Sequence, residues 1–498
     1  MSKASCIMVQ GTMSGAGKSL LCAALCRIFA QDGYRTAPFK SQNMALNSFV
    51  TRDGLEMGRA QVVQAQAAGI EPDVRMNPIL LKPSSDVGSQ VIVNGEVRGQ
   101  MPAAAYFKMK RSLIPDILAA YNSLAEAVDI IVIEGAGSPA EINLKADDIV
   151  NMGLAKLVDA PVLLAGDIDR GGVFAQLYGT VELLEPDERA RIKGLIINKF
   201  RGDVEILRPG LAMLEEKTHL PVLGVVPYLK VDIEDEDSLS ERLETGKTVK
   251  PLDIAILRLP HISNFTDFMP LEQHPLLGVR YVQNAHTLGT PDLVILPGTK
   301  NTVDDLLWLR QSGLEPALLK LAARGTPVLG VCGGYQMLGQ TLADPDGTES
   351  GRAQTLRGLG LLPTRTTFTA RKRRAQVTAE ATAAPFAGAA LTGYEIHTGR
   401  TEVEGHPFCT QADGTPEGCV QDRVFGTYLH GLFDTGELTE KLVAALCARK
   451  GIAPDTAALM PMEQYRQQQF DLLAEGVRKA LDMDALYAAM GLARKEQL

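Results

Sequence analysis

Residues 6–33 read CIMVQGTMSGAGKSLLCAALCRIFAQDG. An apolar run typical of a buried strand is followed by a glycine-rich turn and then by a segment with helical patterning. This order directs backbone N–H groups and the positive end of a helix dipole to one point, which suits a polyphosphate. The stretch therefore predicts an α/β domain that begins with a phosphate-binding loop.

The turn carries the side chains that a nucleotide site needs. Lys18 is expected to pair with the β and γ phosphates of ATP, and the hydroxyl of Ser19 to ligate Mg²⁺. The predicted phosphate-binding residues are Gly11, Thr12, Gly15, Gly17, Lys18 and Ser19. The common G-x-x-x-x-G-K-[ST] spacing is not met, because five residues separate Gly11 from Gly17. A glycine turn followed by a surface lysine and serine is the alternative.

Similar apolar runs recur along the chain, with room for helices between them. They lie at 128–135, 160–167, 193–199 and 221–227, and again at 252–260, 291–301 and 326–338. Such an alternation indicates parallel sheets. We therefore predict an α/β protein with two doubly wound domains.

Composition restricts the class of protein. The 498 residues are 45% hydrophobic and 22% charged, as in ordinary globular proteins, and the length allows several domains. A net charge of −9 argues against a nucleic-acid partner. Seven scattered cysteines indicate neither a disulfide framework nor a zinc site. Because we see no signal peptide or long apolar run, we expect a cytoplasmic protein without a membrane partner.

A second chemical motif lies at 326–339, TPVLGVCGGYQMLG. A nucleophile must protrude from a sharp turn between a strand and a helix, which requires small neighbours, and the following helix N-terminus can supply an oxyanion donor. Cys332 is therefore the predicted nucleophile, with the N–H of Gly333 as an oxyanion donor. A buried structural cysteine is the alternative.

A cysteine nucleophile needs a base. His430 in VFGTYLHGLF is the candidate, and His397 in GYEIHTG is its rival. The order Cys then His resembles the class I (triad) glutamine amidotransferases, and this resemblance implies that Gly298 in LPGTKN is a second oxyanion donor. Leu432 replaces the glutamate that the class carries two positions after its histidine. We therefore expect a Cys–His dyad.

Two predicted strands of the first domain each end in a residue with a carboxylate side chain. Glu134 ends IVIE and Asp167 ends VLLAGD, at the edge where ligands bind to α/β sheets. Oxygen ligands suit Mg²⁺, so Ser19, Glu134 and Asp167 are the candidate metal ligands. The alternative for Glu134 is a carboxylate that faces solvent, and the alternative for Asp167 is a role in a mobile loop.

The form G-T-x-S-x-x-G-K-S at 11–19 resembles the phosphate loop of the dethiobiotin synthetase-like branch of P-loop proteins. The resemblance implies that Lys40 positions the transferred phosphate or the substrate carboxylate. It also implies that Asn198 and Lys199 lie at the base-recognition position of the nucleotide.

Nearly the whole chain resembles the cobyric acid synthase family, on PFKSQNMALNS at 38–48, EMGRAQ at 56–61 and LAGDIDRGGVFAQLYGT at 164–180. The resemblance implies amidation of the b, d, e and g carboxylates of adenosylcobyrinic acid a,c-diamide. Glutamine would supply ammonia, and ATP with Mg²⁺ would activate each carboxylate as an acyl phosphate. The residues then predicted to bind the corrinoid are Gln42, Asn43, Asn47 and Arg59.

The predicted organisation follows from these motifs. It is an ATP-binding domain at 1–235, a linker at 236–250, a glutaminase domain at 251–440 and a helical segment at 441–498 that packs on the second domain. Three alternatives stay open: amidation of another carboxylate, as by cobyrinic acid a,c-diamide synthase, a non-amidating P-loop ATPase, and a regulatory binding protein. The sequence is also compatible with a homo-oligomer.

Overall fold

The computed structural model describes residues 4–85, 88–234, 243, 249–453 and 460–494. The chain divides into two compact units. The first unit takes its residues from 1–45, 56–233 and 466–498, and the second takes its residues from 46–55 and 234–465. Most of the predicted linker at 236–250 lies outside the described residues.

The described secondary structure alternates strands and helices through most of both units. The strands are β1 (Ser5–Gly11), β2 (Thr36–Phe39), β3 (Gln42–Met44), β4 (Ser48–Val50), β5 (Glu56–Gly58), β6 (Ile79–Ser85), β7 (Gly88–Val93), β8 (Glu96–Pro102), β9 (Ile130–Glu134), β10 (Val162–Asp167), β11 (Ile192–Phe200), β12 (Val222–Pro227), β13 (Leu252–Leu257), β14 (Leu277–Val282), β15 (Leu293–Leu296), β16 (Val328–Val331), β17 (Thr341–Asp344), β18 (Gln354–Arg357), β19 (Thr364–Ala381), β20 (Ala390–Val403), β21 (Cys409–Gln411), β22 (Pro416–Glu417), β23 (Cys419–Gln421), β24 (Val424–Thr427) and β25 (Leu429–His430). The helices are α1 (Lys18–Gln31), α2 (Arg59–Ala67), α3 (Ala103–Met109), α4 (Ile114–Ala127), α5 (Met152–Val158), α6 (Val173–Glu182), α7 (Pro186–Arg189), α8 (Val204–Thr218), α9 (Met269–Gln273), α10 (Ala285–Leu288), α11 (Thr302–Gln311), α12 (Leu314–Ala323), α13 (Gly333–Leu338), α14 (Glu437–Lys450), α15 (Met462–Ala480) and α16 (Met483–Ala489).

A parallel sheet forms the centre of the first unit, with strand order β12-β11-β10-β1-β9-β2. Its central strands are apolar and buried on both faces, as parallel strands covered by helices must be. The register brings Gly11 opposite Ala165, and Asp167 opposite Asn198. The predicted ligand-binding residues therefore collect at the carboxyl edge of one sheet. This unit also contains a smaller sheet in the order β3-β6-β7-β8.

The second unit also contains a sheet that is parallel through most of its strands, in the order β14-β13-β15-β16-β24-β23, with β23 antiparallel to its neighbour. A further, mostly antiparallel sheet has the order β18-β17-β19-β20-β25. The basic residues at 371–374 lie within β19. Strand β16 ends immediately before Cys332, and His430 ends β25.

The C-terminal helices differ from the expectation for 441–498. Only α14 belongs entirely to the second unit, whereas α16 and most of α15 belong to the first. Leu473, Val477 and Tyr487 enter the same hydrophobic core as Phe29 of α1. The expected packing on the second domain is therefore wrong for these helices. The sequence predicted that this segment is helical, but helical patterning alone carries no information about which domain buries its apolar face.

Helices long and apolar enough to cross a bilayer are absent from the part of the chain that the structure describes.

Candidate active sites

The loop after β1 has the backbone of a phosphate site. Gly17 is the N-cap residue of α1 and has φ 88°, a left-handed conformation that favours glycine. Because glycine has no side chain, the helix start has no side-chain cap. An added Cβ at Gly17 would lie 2.2 Å from Nδ2 of Asn198, so a second strand also requires glycine there. The first turn of α1 therefore directs its free backbone N–H groups to the loop, where a bound anion can accept hydrogen bonds from them.

Lys18 and Ser19 both face the end of strand β9. The Lys18 ammonium donates to the carbonyl oxygens of Met13 (3.0 Å) and Gly137 (3.1 Å). The Ser19 hydroxyl donates to Oε1 of Glu134 at 2.9 Å. The residues predicted from the loop and from the strand end thus meet at one place.

Glu134 is the centre of a buried polar cluster. Its Oε1 atom lies 2.8 Å from Nζ of Lys40, and the two side chains are 1% and 7% exposed. The other oxygen accepts from Gln64 and, at 3.4 Å, from Gln61. Lys40 is therefore held at the phosphate loop rather than facing solvent. Sequence reasoning assigned no role to either glutamine, although both follow Arg59 on α2 and are buried.

Side chains at the end of β11 also contact the phosphate loop. Asn198 donates to the carbonyl of Ala16 at 2.9 Å, and Lys199 Nζ donates to the carbonyl of Gly15 at 2.6 Å. Lys199 also lies 2.9 Å from Oδ2 of Asp167, while the other Asp167 oxygen accepts the backbone N–H of Asp169. Asp167 is thus bound to protein donors through both oxygens.

The four residues predicted to bind the corrinoid do not share one environment. Gln42 accepts a hydrogen bond from the hydroxyl of Tyr106 in the first unit. Asn43 donates to Gln61 at 3.2 Å, next to the Glu134 cluster, and Arg59 begins α2 as a buried residue. The fourth, Asn47, belongs to the second unit.

In the second unit, Cys332 occupies a strained turn between β16 and α13. Its backbone has φ 52° and ψ −108°, and the residue is 8% exposed. An added Cβ on Gly334 would lie 2.0 Å from the carbonyl oxygen of Leu296, so the close approach of α13 to β15 requires glycine. A non-glycine residue held at positive φ after a strand is the geometry of a nucleophile elbow.

His430 is buried beside this thiol. Its Nδ1–H donates to Oδ2 of Asp267 at 2.7 Å, and the other carboxylate oxygen accepts the N–H of Gly431 at 3.0 Å. Burial alone would lower the pKa of His430, but the Asp267 carboxylate and a hydrogen bond with Cys332 raise the pKa of His430 to about 10. The rival His397 instead stacks on Tyr428, with ring centroids 3.6 Å apart.

The expectation of a dyad without an acidic partner is therefore wrong. Sequence reasoning looked for an acid two positions after the histidine, and Asp267 comes from a turn 163 positions earlier. That turn, SNFTDF at 263–268, carries no motif that marks its aspartate.

Of the two predicted oxyanion donors, Gly298 lies beside His430, and Gly333 directly follows Cys332 and approaches the LPGTKN loop. An added Cβ on Gly298 would lie 3.1 Å from Cε1 of His430, and one on Gly333 would lie 3.1 Å from the backbone nitrogen of Thr299. The carbonyl of Pro297 accepts the N–H of Gly334 at 3.1 Å, which fixes the LPGTKN loop against the elbow.

Comparison with known proteins identifies both units. Residues 7–240 match the family described as CobQ/CobB/MinD/ParA nucleotide binding domain, and residues 253–438 match the CobB/CobQ-like glutamine amidotransferase domain. Cobyric acid synthase of Lachnoclostridium phytofermentans is 55% identical over 97% of this chain and 98% of its own length. The chain belongs to the cobyric acid synthase family.

Other members of that family show the same coverage. Cobyric acid synthase of Ruminiclostridium cellulolyticum is 55% identical over 97% of this chain and 96% of its own. Cobyric acid synthase of Citrobacter koseri is 53% identical over 97% of this chain and 98% of its own length. As a member of the cobyric acid synthase family, the chain is a ligase of cobalamin biosynthesis that joins glutamine hydrolysis to ATP-dependent amide formation.

Proposed function

We propose that the chain converts adenosylcobyrinic acid a,c-diamide to adenosylcobyric acid by amidating its b, d, e and g carboxylates. The observation that carries the proposal is that each unit brings one connected cluster of candidate catalytic side chains together. Glu134 joins Ser19 to Lys40 in the first unit, and His430 joins Cys332 to Asp267 in the second. Each of the four amidations would consume one glutamine and one ATP and release glutamate, ADP and phosphate.

Glutamine hydrolysis is assigned to the second unit. Cys332 Sγ would attack the side-chain amide of glutamine, and His430 would pass its proton to the departing ammonia. The N–H groups of Gly298 and Gly333 would bind the oxyanion that forms from the amide carbonyl oxygen when the thiol attacks. Asp267 would hold the ring of His430 in the required orientation and stabilise its charged form. Water would then release glutamate from the thioester.

Carboxylate activation is assigned to the first unit. The loop residues Gly11, Thr12, Gly15 and Gly17, with Lys18, would hold the phosphates of ATP, and Asn198 and Lys199 would lie at the base. Lys40 would neutralise charge between the transferred phosphate and the substrate carboxylate. The acyl phosphate formed there gives ammonia a good leaving group to displace.

Magnesium fits the oxygen pair formed by Ser19 and Glu134, which lie 2.9 Å apart at the start of α1. Mg²⁺ commonly takes one or two protein oxygens and completes its shell with phosphate and water. Clusters of three or more His, Cys, Asp or Glu side chains suited to a metal are absent from the described residues. Bound Mg²⁺ would neutralise phosphate charge. Glu134 and Asp167 would each have to exchange a lysine for the metal, Lys40 and Lys199 respectively. The Ser19 hydroxyl next to Glu134 favours that pair, and Asp167 remains a prediction.

A coupled assay of ADP and glutamate release with cobyrinic acid a,c-diamide tests the proposal, because mass spectrometry counts each replacement of a hydroxyl by an amino group. We expect Cys332→Ala to lose amidation with glutamine and retain it with ammonium. Lys18→Ala should lose both. Consumption of ATP and glutamine only with a different carboxylate would remove the corrinoid assignment and leave the ligase chemistry in place.

A further inference from the structure

Ten residues of the second unit come from the middle of first-unit sequence. Residues 46–55 belong to the second unit, although 1–45 and 56–233 on either side belong to the first. We call residues 46–55 the inserted segment. The residues that flank it in sequence include Gln42, Asn43 and Arg59, which the sequence predicts to bind the corrinoid.

The inserted segment is bonded to the turn that carries Asp267. The N–H of Asn264 donates to Oδ1 of Asn47 at 2.7 Å, and the N–H of Ser48 donates to Oδ1 of Asn264 at 3.1 Å. Asn47 is fully buried and Asn264 is 4% exposed. Asn264 has φ 53° and immediately precedes the helical turn Phe265–Phe268. This reciprocal pair therefore fixes the start of the turn from which Asp267 reaches His430.

The inserted segment also contacts Tyr394, whose ring packs on His430. The hydroxyl of Tyr394 donates to the carbonyl of Ser48 at 3.0 Å, and Phe49 packs edge-on against Tyr394 at 5.2 Å between centroids. The ring of Tyr394 also stacks on the imidazole of His430 at 5.3 Å. Phe49 and Val50 pack with Tyr394 and Ile396, and the carbonyl of Ile396 accepts from Cys332 Sγ at 3.6 Å.

We propose that the inserted segment positions the Asp267–His430 pair and thereby links the rate of glutamine hydrolysis to the substrate-binding residues on either side of it. The inference rests on the proposed function for the corrinoid substrate that those flanking residues would bind. Asn47 and Tyr394 are positioning residues, since they act through Asn264 and the His430 ring rather than on glutamine. This assignment gives Asn47 a role different from the corrinoid contact predicted for it from sequence.

The mechanical basis is local. A catalytic pair must be held within a fraction of an ångström, and small displacements by distant substitutions reduce the rate steeply. Because the inserted segment contacts both the acid-bearing turn and the ring stacked on His430, a shift of its backbone changes the geometry of both. The continuous chain between 43 and 59 would transmit such a shift when a substrate engages the flanking residues.

The test compares Asn47→Ala and Tyr394→Phe with Asp53→Ala, a control at an exposed position of the same segment. Tyr394→Phe removes one hydroxyl and keeps the stacked ring, so it preserves the fold. We expect both variants to lower kcat for glutamine hydrolysis by about ten- to a hundredfold. The KM for glutamine should change little, the pH profile of hydrolysis should shift, and stimulation of hydrolysis by ATP with cobyrinic acid a,c-diamide should be lost.

Amidation supported by ammonium separates this inference from the proposed function. We expect both variants to keep wild-type amidation with ammonium, and Asp53→Ala to keep every activity. If Asn47→Ala lowers ammonium-supported and glutamine-supported amidation equally, Asn47 serves the substrate and the positioning role is overturned. Unchanged glutamine hydrolysis in both variants would overturn it as well. Failure of the wild type to amidate the corrinoid with ammonium would remove the proposed function, while glutamine hydrolysis would still decide the positioning role.

Discussion

Oδ2 of Asp267 lies 2.7 Å from Nδ1 of His430, although the two residues are 163 positions apart in the chain. The contact is almost completely buried, with the histidine side chain 1% and the aspartate side chain 5% exposed. In such an environment only a close opposite charge keeps an imidazolium stable. Asp267 is therefore the acidic partner of His430. The residue after Gly431 cannot be that partner, because it is a leucine.

Replacement of Asp267 by asparagine tests this partnership. The new amide would keep the shape of the side chain but lose its charge, so the charged form of His430 would no longer be favoured. We expect Asp267→Asn to lower kcat for glutamine hydrolysis by about 10²- to 10⁴-fold, the usual contribution of a positioned acid or base. Ammonium-supported amidation is the control and should remain. Wild-type glutamine hydrolysis in this variant would exclude a role for Asp267.

The same contact predicts a pH dependence of stability. Histidine has an ordinary pKa of about 6.5, whereas the pKa of His430 in the folded protein is about 10. A raised pKa means that the stabilisation is complete below about pH 6.5 and is lost as the pH rises toward about 10. We expect the free energy of unfolding of the second unit to fall over this range, and to fall less in Asp267→Asn. Urea denaturation across the range measures it, and equal slopes in the two proteins would contradict it.

Both candidate sites could be located from sequence because each is encoded contiguously. A phosphate loop needs its glycines, lysine and serine within one turn, and the elbow needs small residues directly around Cys332. The parallel sheets were also predictable, since buried strands are continuous apolar runs. The same reasoning favoured His430 over His397 from its position at a strand end.

What the sequence did not reveal depends on contacts between distant segments. Asp267 lies on a short turn with no repeated pattern, and its meaning appears only when the fold brings it to His430. The burial of Tyr487 in the first unit and the placement of Asn47 in the second have the same origin. Local patterns state that a residue is buried or polar, and tertiary packing decides its partner.

The approach of β11 to the phosphate loop predicts different effects for two glycines. Gly17→Ala combines a left-handed φ of 88° with a contact of 2.2 Å to Asn198, whereas Gly15→Ala has positive φ and no atom within 4 Å. We expect Gly17→Ala to abolish ATP binding measured by calorimetry, and Gly15→Ala to weaken it by the cost of backbone strain, about 1–2 kcal/mol. Equal losses in the two variants would show that the contact with Asn198 does not matter.

The buried pair of Lys40 and Glu134 predicts an energetic coupling. Glu134→Gln leaves the lysine charge without its carboxylate, and removal of one member of a buried pair commonly costs about 3–5 kcal/mol. We expect each of Glu134→Gln and Lys40→Met to destabilise the first unit, and the double variant to lose much less than the sum. Denaturant unfolding of all four proteins measures the coupling. Additive losses would mean that the two side chains act independently.

The C-terminal helices should stabilise the first unit rather than the second. Tyr487 is 1% exposed, packs edge-on against Phe29 at 5.4 Å between centroids and donates to Asp32 at 2.6 Å. We expect Tyr487→Ala to cost about 3–5 kcal/mol, as large-to-small changes of buried aromatic residues do. Leu472→Ala, on the same pair of helices but 52% exposed, is the control and should change stability by about 0.5 kcal/mol or less.

The two units can be followed separately in this experiment, because ATP binding reports on the first and glutamine hydrolysis on the second. Tyr487→Ala should lose ATP binding at a lower denaturant concentration than the wild type, while the concentration that abolishes glutamine hydrolysis stays the same. If glutamine hydrolysis were lost earlier and ATP binding were unaffected, the helices would stabilise the second unit, as their position in the sequence first indicated.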